Sequence, residues 1–332
     1  VKVSQLCLGT WHLPRSNMVD QYGVPIVDVE AAVKIMKAAY DAGINCIDTA
    51  NRYHGAMATA DLNHVGNAER VVGRFLQAVD RESVFIATKV RGQMAPWPNG
   101  EGLSRKHIRW QVRESLRRLG TSYIDLYQLH FPDPDTPKIE TLTTLNDLVR
   151  QGLVNYIGLS NHPAPDVVEF MELANRRGLE PFVSMQDLYN VLDRGIESDG
   201  RLAVAAKYNL AILAYSPLAQ GVLSGKYVDF KEGRWIIPEG SRATYAEYVK
   251  RYFNDRNLKV LMELNEVAKA KGATLTQVAL AWLIAMQDRW RVTIIPIIGV
   301  TKPQYLEENL AALDVKLSQD DLKRIDEAAK GS

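Results

Sequence analysis

Eight short apolar or β-branched runs recur along the chain, and that recurrence most constrains what it can become. They lie at 3–9 (VSQLCLG), 44–48 (INCID), 83–89 (SVFIATK), 123–130 (YIDLYQLH), 154–160 (VNYIGLS), 182–187 (FVSMQD), 210–215 (LAILAY) and 292–298 (VTIIPII). Each has the length and composition of a strand buried on both faces. Between them stand helical patterns such as VEAAVKIMKAAYDAG, NAERVVGRFLQAV, KHIRWQVRESLRRLG and TLTTLNDLVRQG, several closing on Gly. Strand and helix in alternation, with continuously apolar strands, predict a parallel sheet. Eight such units within 332 residues fit a closed (β/α)8 TIM barrel better than an open doubly wound sheet, and no Gly-x-Gly-x-x-Gly follows the first run. The stretch at 226–254, after the seventh strand, is too long for a connector and is expected to be a functional lid. No repeat or low-complexity linker divides the chain, so residues 1–332 are expected to form one domain.

Composition excludes several partners. Forty Lys and Arg stand against thirty-nine Asp and Glu, a formal net charge of +1, so no overall field favours nucleic acid or an anionic membrane. No run of 18 apolar residues occurs, and the N-terminus lacks a basic segment followed by an apolar one, so no membrane insertion is expected. The two cysteines, Cys7 and Cys46, lie in apolar strand-like runs and predict buried thiols in a reducing compartment. These features together predict a cytoplasmic protein acting on a small molecule.

In a barrel of this kind the site lies at the C-terminal ends of the strands. Asp48 ends the second run, Tyr53 follows in its loop, Lys89 ends the third and His130 the fourth. Singly, each has an ordinary structural reading: a helix cap, an interfacial phenol, a solvated ammonium, a satisfied imidazole. As a set, four titratable groups converge on one side of the layer where function resides. A phenol with a reference pKa of about 10 is a poor proton donor at neutral pH unless a cation stabilises its phenolate. Lys89 can supply that cation, Asp48 can hold the ammonium charged, and His130 can orient a carbonyl oxygen or pass a proton. Such a group protonates an oxygen as charge develops on it. No nucleophile with a base and no His/Cys cluster with zinc spacing appears, so no metal is expected and the other reagent is brought in, most naturally hydride from a nicotinamide.

GINCIDTANRYH, FIATKV, YIDLYQLH, YIGLSNH and YSPLAQGVLSGKY, in that order, resemble the aldo-keto reductase superfamily across essentially the whole chain. The nearest subgroup by motif holds the potassium channel β subunits and their prokaryotic relatives. The resemblance implies a catalytic set of Asp48, Tyr53, Lys89 and His130, with Tyr53 as general acid, and NADP(H) extended across the barrel mouth. It implies Ser160, Asn161 and Gln186 on the nicotinamide carboxamide and Tyr215 stacked on its ring. Ser216, Pro217, Leu218, Gln220, Lys226 and Arg242 would clasp the pyrophosphate, and Gly299, Thr301, Lys302, Glu308 and Asn309 the adenosine end. Tyr305 stands where many relatives carry Arg or Gln, which implies that NAD(H) serves as a weaker alternative. The chain also opens directly on its first strand, without the N-terminal hairpin common in the family.

For the carbonyl substrate, Trp11, Met94, Trp97 and Phe131, with Tyr53, are candidates for an aromatic, apolar pocket, and Arg91 or Arg234 for a charge favouring acidic or sugar-like compounds. Two rival classes stand beside a reductase of aldehydes and ketones. One is a redox-sensing, channel-β-like binding subunit of slow turnover. The other is a Schiff-base aldolase acting through Lys89.

Overall fold

In the computed structural model, described for residues 1–57, 61–244 and 246–330, eight parallel strands close into a barrel. The strands of the chain are β1 (Cys7–Gly9), β2 (Arg15–Val19), β3 (Pro25–Val27), β4 (Cys46–Asp48), β5 (Phe85–Val90), β6 (Ile124–Leu129), β7 (Val154–Ser160), β8 (Ser184–Leu188), β9 (Ala211–Tyr215), β10 (Val228–Asp229), β11 (Arg234–Trp235) and β12 (Ile294–Gly299). Around the barrel runs β1-β12-β9-β8-β7-β6-β5-β4, so all eight runs read from the sequence are barrel strands. The helices are α1 (Val29–Asp41), α2 (Asn67–Leu76), α3 (Arg105–Leu119), α4 (Lys138–Arg150), α5 (Ala164–Arg177), α6 (Arg201–Tyr208), α7 (Glu247–Lys250), α8 (Asp255–Lys271), α9 (Leu275–Trp290), α10 (Pro303–Ala311) and α11 (Gln319–Lys330).

Local chemistry sets where these helices begin and end. The Asp28 carboxylate accepts from the Ala31 amide at the start of α1, and α9 opens on a reciprocal Thr274–Gln277 capping box. Gly120 ends α3 in the left-handed conformation that a residue without Cβ adopts freely. Gly73 in α2 serves closer packing: a Cβ there would stand 2.6 Å from the Arg118 carbonyl oxygen at the end of α3.

All six residues of β5 and of β6 are buried because each strand packs on helices outside and on side chains inside. The strand period of two divides the faces. Ile47 and Ile86 join the large core between barrel and helices, while Cys7, Cys46, Phe85, Ala87, Leu126, Leu213, Ile295 and Ile297 fill the barrel interior. One layer further towards the strand ends, the same inward face carries Asp48, Lys89, Gln128 and Gln186, all buried.

Three features depart from the sequence reading. First, Cys7 and Cys46 are joined as a disulfide rather than kept as thiols. The strands β1 and β4 pair with these two residues in register, their Cα atoms 4.7 Å apart and their side chains on the same inward face. The thiol argument for a reducing compartment falls with that correction. Second, β2 and β3 form an antiparallel hairpin between β1 and α1. Third, the stretch at 226–254 is partly ordered into the β10–β11 hairpin, a turn of 3-10 helix at Arg242–Thr244 and α7, with Tyr245 outside the described residues. Among the described residues no helix is long and apolar enough to cross a membrane.

Candidate active site

The loop after β4 is tied down at several points, and this fixes Tyr53. The Asn51 amide donates to the Lys89 carbonyl, the Tyr53 amide to the Ala50 carbonyl, and the Ala68 amide of α2 to the Tyr53 carbonyl. The phenol is thereby turned back over the end of β5. There the Lys89 ammonium, fully buried, donates to Asp48 Oδ2 at 2.6 Å, to the Thr49 carbonyl at 3.0 Å and to Tyr53 Oη at 3.2 Å. Asp48 Oδ1 accepts from Gln186 Nε2 at 2.8 Å and from Gln128 Nε2 at 3.2 Å. The buried charges are therefore paired and hydrogen-bonded on both sides. His130 is held by its amide on the Val90 carbonyl and by Asn161 Nδ2 on its own carbonyl, with its ring 5.7 Å from that of Tyr53.

These surroundings set the charges. Burial works against the Lys89 ammonium, but Asp48 and Tyr53 more than offset it, and its pKa is raised. Burial raises the Tyr53 phenol, with the charge of Lys89 pulling the other way. Burial, then Lys89 and Arg91, holds His130 well below its ordinary value, so the imidazole is neutral near pH 7.

Above this layer opens a cleft of about 960 Å³. Its walls include every cofactor residue expected from the sequence: Ser160, Asn161, Gln186, Tyr215, Ser216, Pro217, Leu218, Gln220, Lys226, Arg242, Gly299, Thr301, Lys302, Tyr305, Glu308 and Asn309. Several are tied together beneath it. Tyr215 Oη donates to Asn161 Oδ1 at 2.9 Å, Asn161 Nδ2 to Ser160 Oγ at 3.0 Å, and Ser160 Oγ to the Gln186 carbonyl at 2.9 Å. Ser216, Ala219 and Gln220 hold positive φ angles, 52°, 47° and 60°, which curl the loop after β9 around the groove. Such backbone strain in non-glycine residues concentrates at functional sites.

Two observations test the fit of a dinucleotide. Lys226, Arg242 and Lys302 face the same groove, and among the described residues none is ion-paired. Burial, then Arg242 and Lys302, lowers the Lys226 pKa, so cations here lack anions. At the far end Asn309 lines the cleft with its Nδ2 buried and without a partner. Three uncompensated cations and an orphaned amide donor fit a phosphate-bearing group with a base beyond it.

A profile of the Aldo/keto reductase family matches residues 5–330. The chain belongs to the aldo/keto reductase family. It is 31% identical over 332 residues to an L-glyceraldehyde 3-phosphate reductase of Escherichia coli O157:H7, covering 98% of this chain and 89% of that protein. To a putative voltage-gated potassium channel subunit beta of Schizosaccharomyces pombe it is 33% identical, over 98% of this chain and 90% of that one. Among solved structures, a thermostable aldo-keto reductase in complex with the inhibitor epalrestat superposes with a TM-score of 0.71 at 31% identity, over 98% of this chain and 95% of the other. The chain is thus an oxidoreductase of the carbonyl-reducing, nicotinamide-using type.

In this aldo/keto reductase Trp11 and Phe131 line the cleft, but Met94 and Trp97 do not. The segment after β5 closes on itself, the Met94 amide on the Gly100 carbonyl and the Gly100 amide on the Trp97 carbonyl. This turn buries Met94 elsewhere and sends Trp97 out against Trp110, ring centroids 5.9 Å apart. Arg91 and Arg234 also lie outside the lining: Arg91 pairs with Glu101 at 3.5 Å, and Arg234 is exposed on β11.

Other residues escaped the sequence reading. Gln128, the second amide on Asp48, faces inward by the strand period two residues before His130, and that spacing could have revealed it. His12 lines the cleft with its Nε2 buried and unpartnered; burial, then Arg242 and Arg15, lowers its pKa to about 3. Arg52, beside Tyr53, also faces the cleft.

Proposed function

We propose that the chain is an NADPH-dependent reductase of aldehydes and ketones, reversible towards alcohol oxidation, with Tyr53 as the proton donor. The observation that carries this is the single ammonium of Lys89 shared between Asp48 and Tyr53 at the floor of the cleft. A phenol raised by burial keeps its proton until oxygen charge develops nearby, and Lys89 then stabilises the phenolate it leaves. The ring nitrogens of His130 have no hydrogen-bond partner among the described residues, so the neutral imidazole can donate to the carbonyl oxygen and fix its approach. When bound, the nicotinamide supplies hydride to the carbonyl carbon. As the C=O π bond breaks, the oxygen takes the Tyr53 proton and the product is an alcohol.

Ser160, Asn161, Gln186 and Tyr215 would hold the nicotinamide end, and Lys226, Arg242 and Lys302 the phosphates. Lys302 and Thr301 stand at the start of α10, where helix amides add to the attraction for an anion. A Schiff base at Lys89 is disfavoured, since an aldolase lysine must be neutral and open to substrate. Lys89 has its three donors engaged and no exposed surface.

Consumption of NADPH with a panel of aldehydes, ketones and sugars tests the reading. Turnover with at least one carbonyl class, and stoichiometric alcohol, is expected. Tight NADPH binding with no turnover on any of them would favour a binding role.

A further inference from the structure

We propose that Arg52 selects the substrate: the carbonyl compound carries a carboxylate or phosphate, which the free edge of the Arg52 guanidinium binds beside the reacting oxygen. The inference rests on the carbonyl-reductase reading above and names the substrate class of that site.

Arg52 immediately precedes Tyr53 and lines the cleft with Trp11, His12, His130 and Phe131. Its stem lies over Gly92, where a Cβ would come within 3.1–3.3 Å of the Arg52 Cβ, Cγ and Cδ; the missing side chain makes the room. Its Nη1 donates to the Gln93 carbonyl at 2.8 Å, which anchors one corner of the fork. Nε and Nη2 have no hydrogen-bond partner among the described residues.

The charge is also unpaired among the described residues. No described carboxylate forms an ion pair with Arg52. The two acids that act on it at longer range are committed elsewhere, Asp61 to His64 at 2.6 Å and Glu101 to Arg91 at 3.5 Å. Asp48, which lines the cleft beside Arg52 and Tyr53, is held by Lys89. A partly buried cation with an open planar edge, among aromatic walls, is suited to a bidentate oxyanion. The cations already ascribed to the cofactor belong to the segments after β9 and β12, whereas Arg52 belongs to the loop after β4 beside Tyr53.

The test measures discrimination between matched pairs: 4-carboxybenzaldehyde against benzaldehyde, and glycolaldehyde phosphate against glycolaldehyde. In the unaltered enzyme kcat/KM is expected to favour the anion of at least one pair by about 10–100-fold, the range for a charge-assisted hydrogen bond, expressed mainly in KM. Whichever pair shows it identifies carboxylate or phosphate. Arg52→Gln should bring that ratio close to one, and Arg52→Lys should keep part of it. An Arg52 that merely braces its loop would, when replaced, slow charged and neutral substrates alike, which would overturn the proposal. So would an unaltered enzyme with no preference for either anion.

A calorimetric titration of the protein, with and without NADP⁺, using 4-(hydroxymethyl)benzoate and benzyl alcohol separates this inference from the reductase reading. Arg52-dependent binding of the benzoate without turnover would sustain the anion site and sink the reductase reading. Turnover of neutral carbonyls with no such binding would do the reverse.

Discussion

Lys89 Nζ stands 3.2 Å from Tyr53 Oη while held 2.6 Å from Asp48 Oδ2, so one buried proton donor connects a carboxylate to a phenol. In the proposed mechanism the phenol proton is the one delivered. Tyr53→Phe removes that proton and little else, since the ring remains against His130. It is expected to lower kcat by at least about 10²-fold with cofactor affinity nearly intact. Reduction of good substrates at the original rate would end the role assigned to Tyr53.

Lys89→Met tests the coupling itself. Burial raises the Tyr53 pKa and Lys89 opposes that rise, so loss of the ammonium should push the phenol higher still. In the proposed mechanism alcohol oxidation needs the deprotonated phenol as base, and the rising, acid-side limb of its pH profile should therefore move to higher pH. Asp48→Asn should act in the same sense, less directly. A lower activity with an unmoved profile would separate Lys89 from Tyr53.

The pattern of inward and outward residues explains how far this site could be read from sequence. Asp48, Lys89 and His130 were legible because each ends an apolar run, and a polar side chain there has to be satisfied by something. Gln128 lies within such a run and Gln186 near the end of one, and only the barrel register places both amides on one carboxylate oxygen. Cys7 and Cys46 are 39 residues apart, and their pairing likewise depends on the register of β1 with β4. The β2 strand, RSNMV, is mostly exposed and has no apolar alternation, so periodicity gave no sign of it. Trp97 looked like a pocket residue by type alone; a tight turn after β5, invisible to periodicity, sends it outward.

The disulfide makes a simple chemical statement. Protein purified without reductant and denatured is expected to show no titratable thiol, and two after reduction. In the chain-entropy picture a crosslink spanning 39 residues stabilises by about 4 kcal/mol, so Cys46→Ala should lower stability by roughly 2–4 kcal/mol under non-reducing conditions. Two thiols in the unreduced protein would show that the pair is not closed in solution.

Stability should fall in mild acid. His130 and His162 are buried with pKa values held low chiefly by burial, that of His162 at about 4. Below about pH 6.5 the unfolded chain protonates these imidazoles and the fold does not, so the unfolded state binds more protons. For His162 this costs about 2 kcal/mol of stability between pH 7 and pH 5, and His130 acts in the same direction. His64, raised by its Asp20 partner, and Asp187, raised to about 6 by burial, take up protons in the fold and offset part of the loss. Urea unfolding at the two pH values should show a lower midpoint at pH 5. An equal or higher midpoint would mean that the histidines protonate in place.

In the proposed reading, the choice of coenzyme turns on the start of α10. A 2′-phosphate carries about two negative charges near pH 7 and needs cations or donors at the adenosine ribose. Lys302 and Thr301 line that end of the cleft, and among the described residues Lys302 has no ion-pair partner. Tyr305, 40% exposed beside them, can stack on a base but carries no charge to replace a guanidinium. A moderate preference for NADPH is expected, with NADH serving at higher concentration. Lys302→Ala should weaken NADPH binding by roughly 1–3 kcal/mol and barely change NADH, because only the former brings the phosphate to that ammonium. Fluorescence titration decides it. Equal losses for both coenzymes would take Lys302 off the phosphate, and an unaltered enzyme tighter for NADH would reverse the assignment of the coenzyme itself.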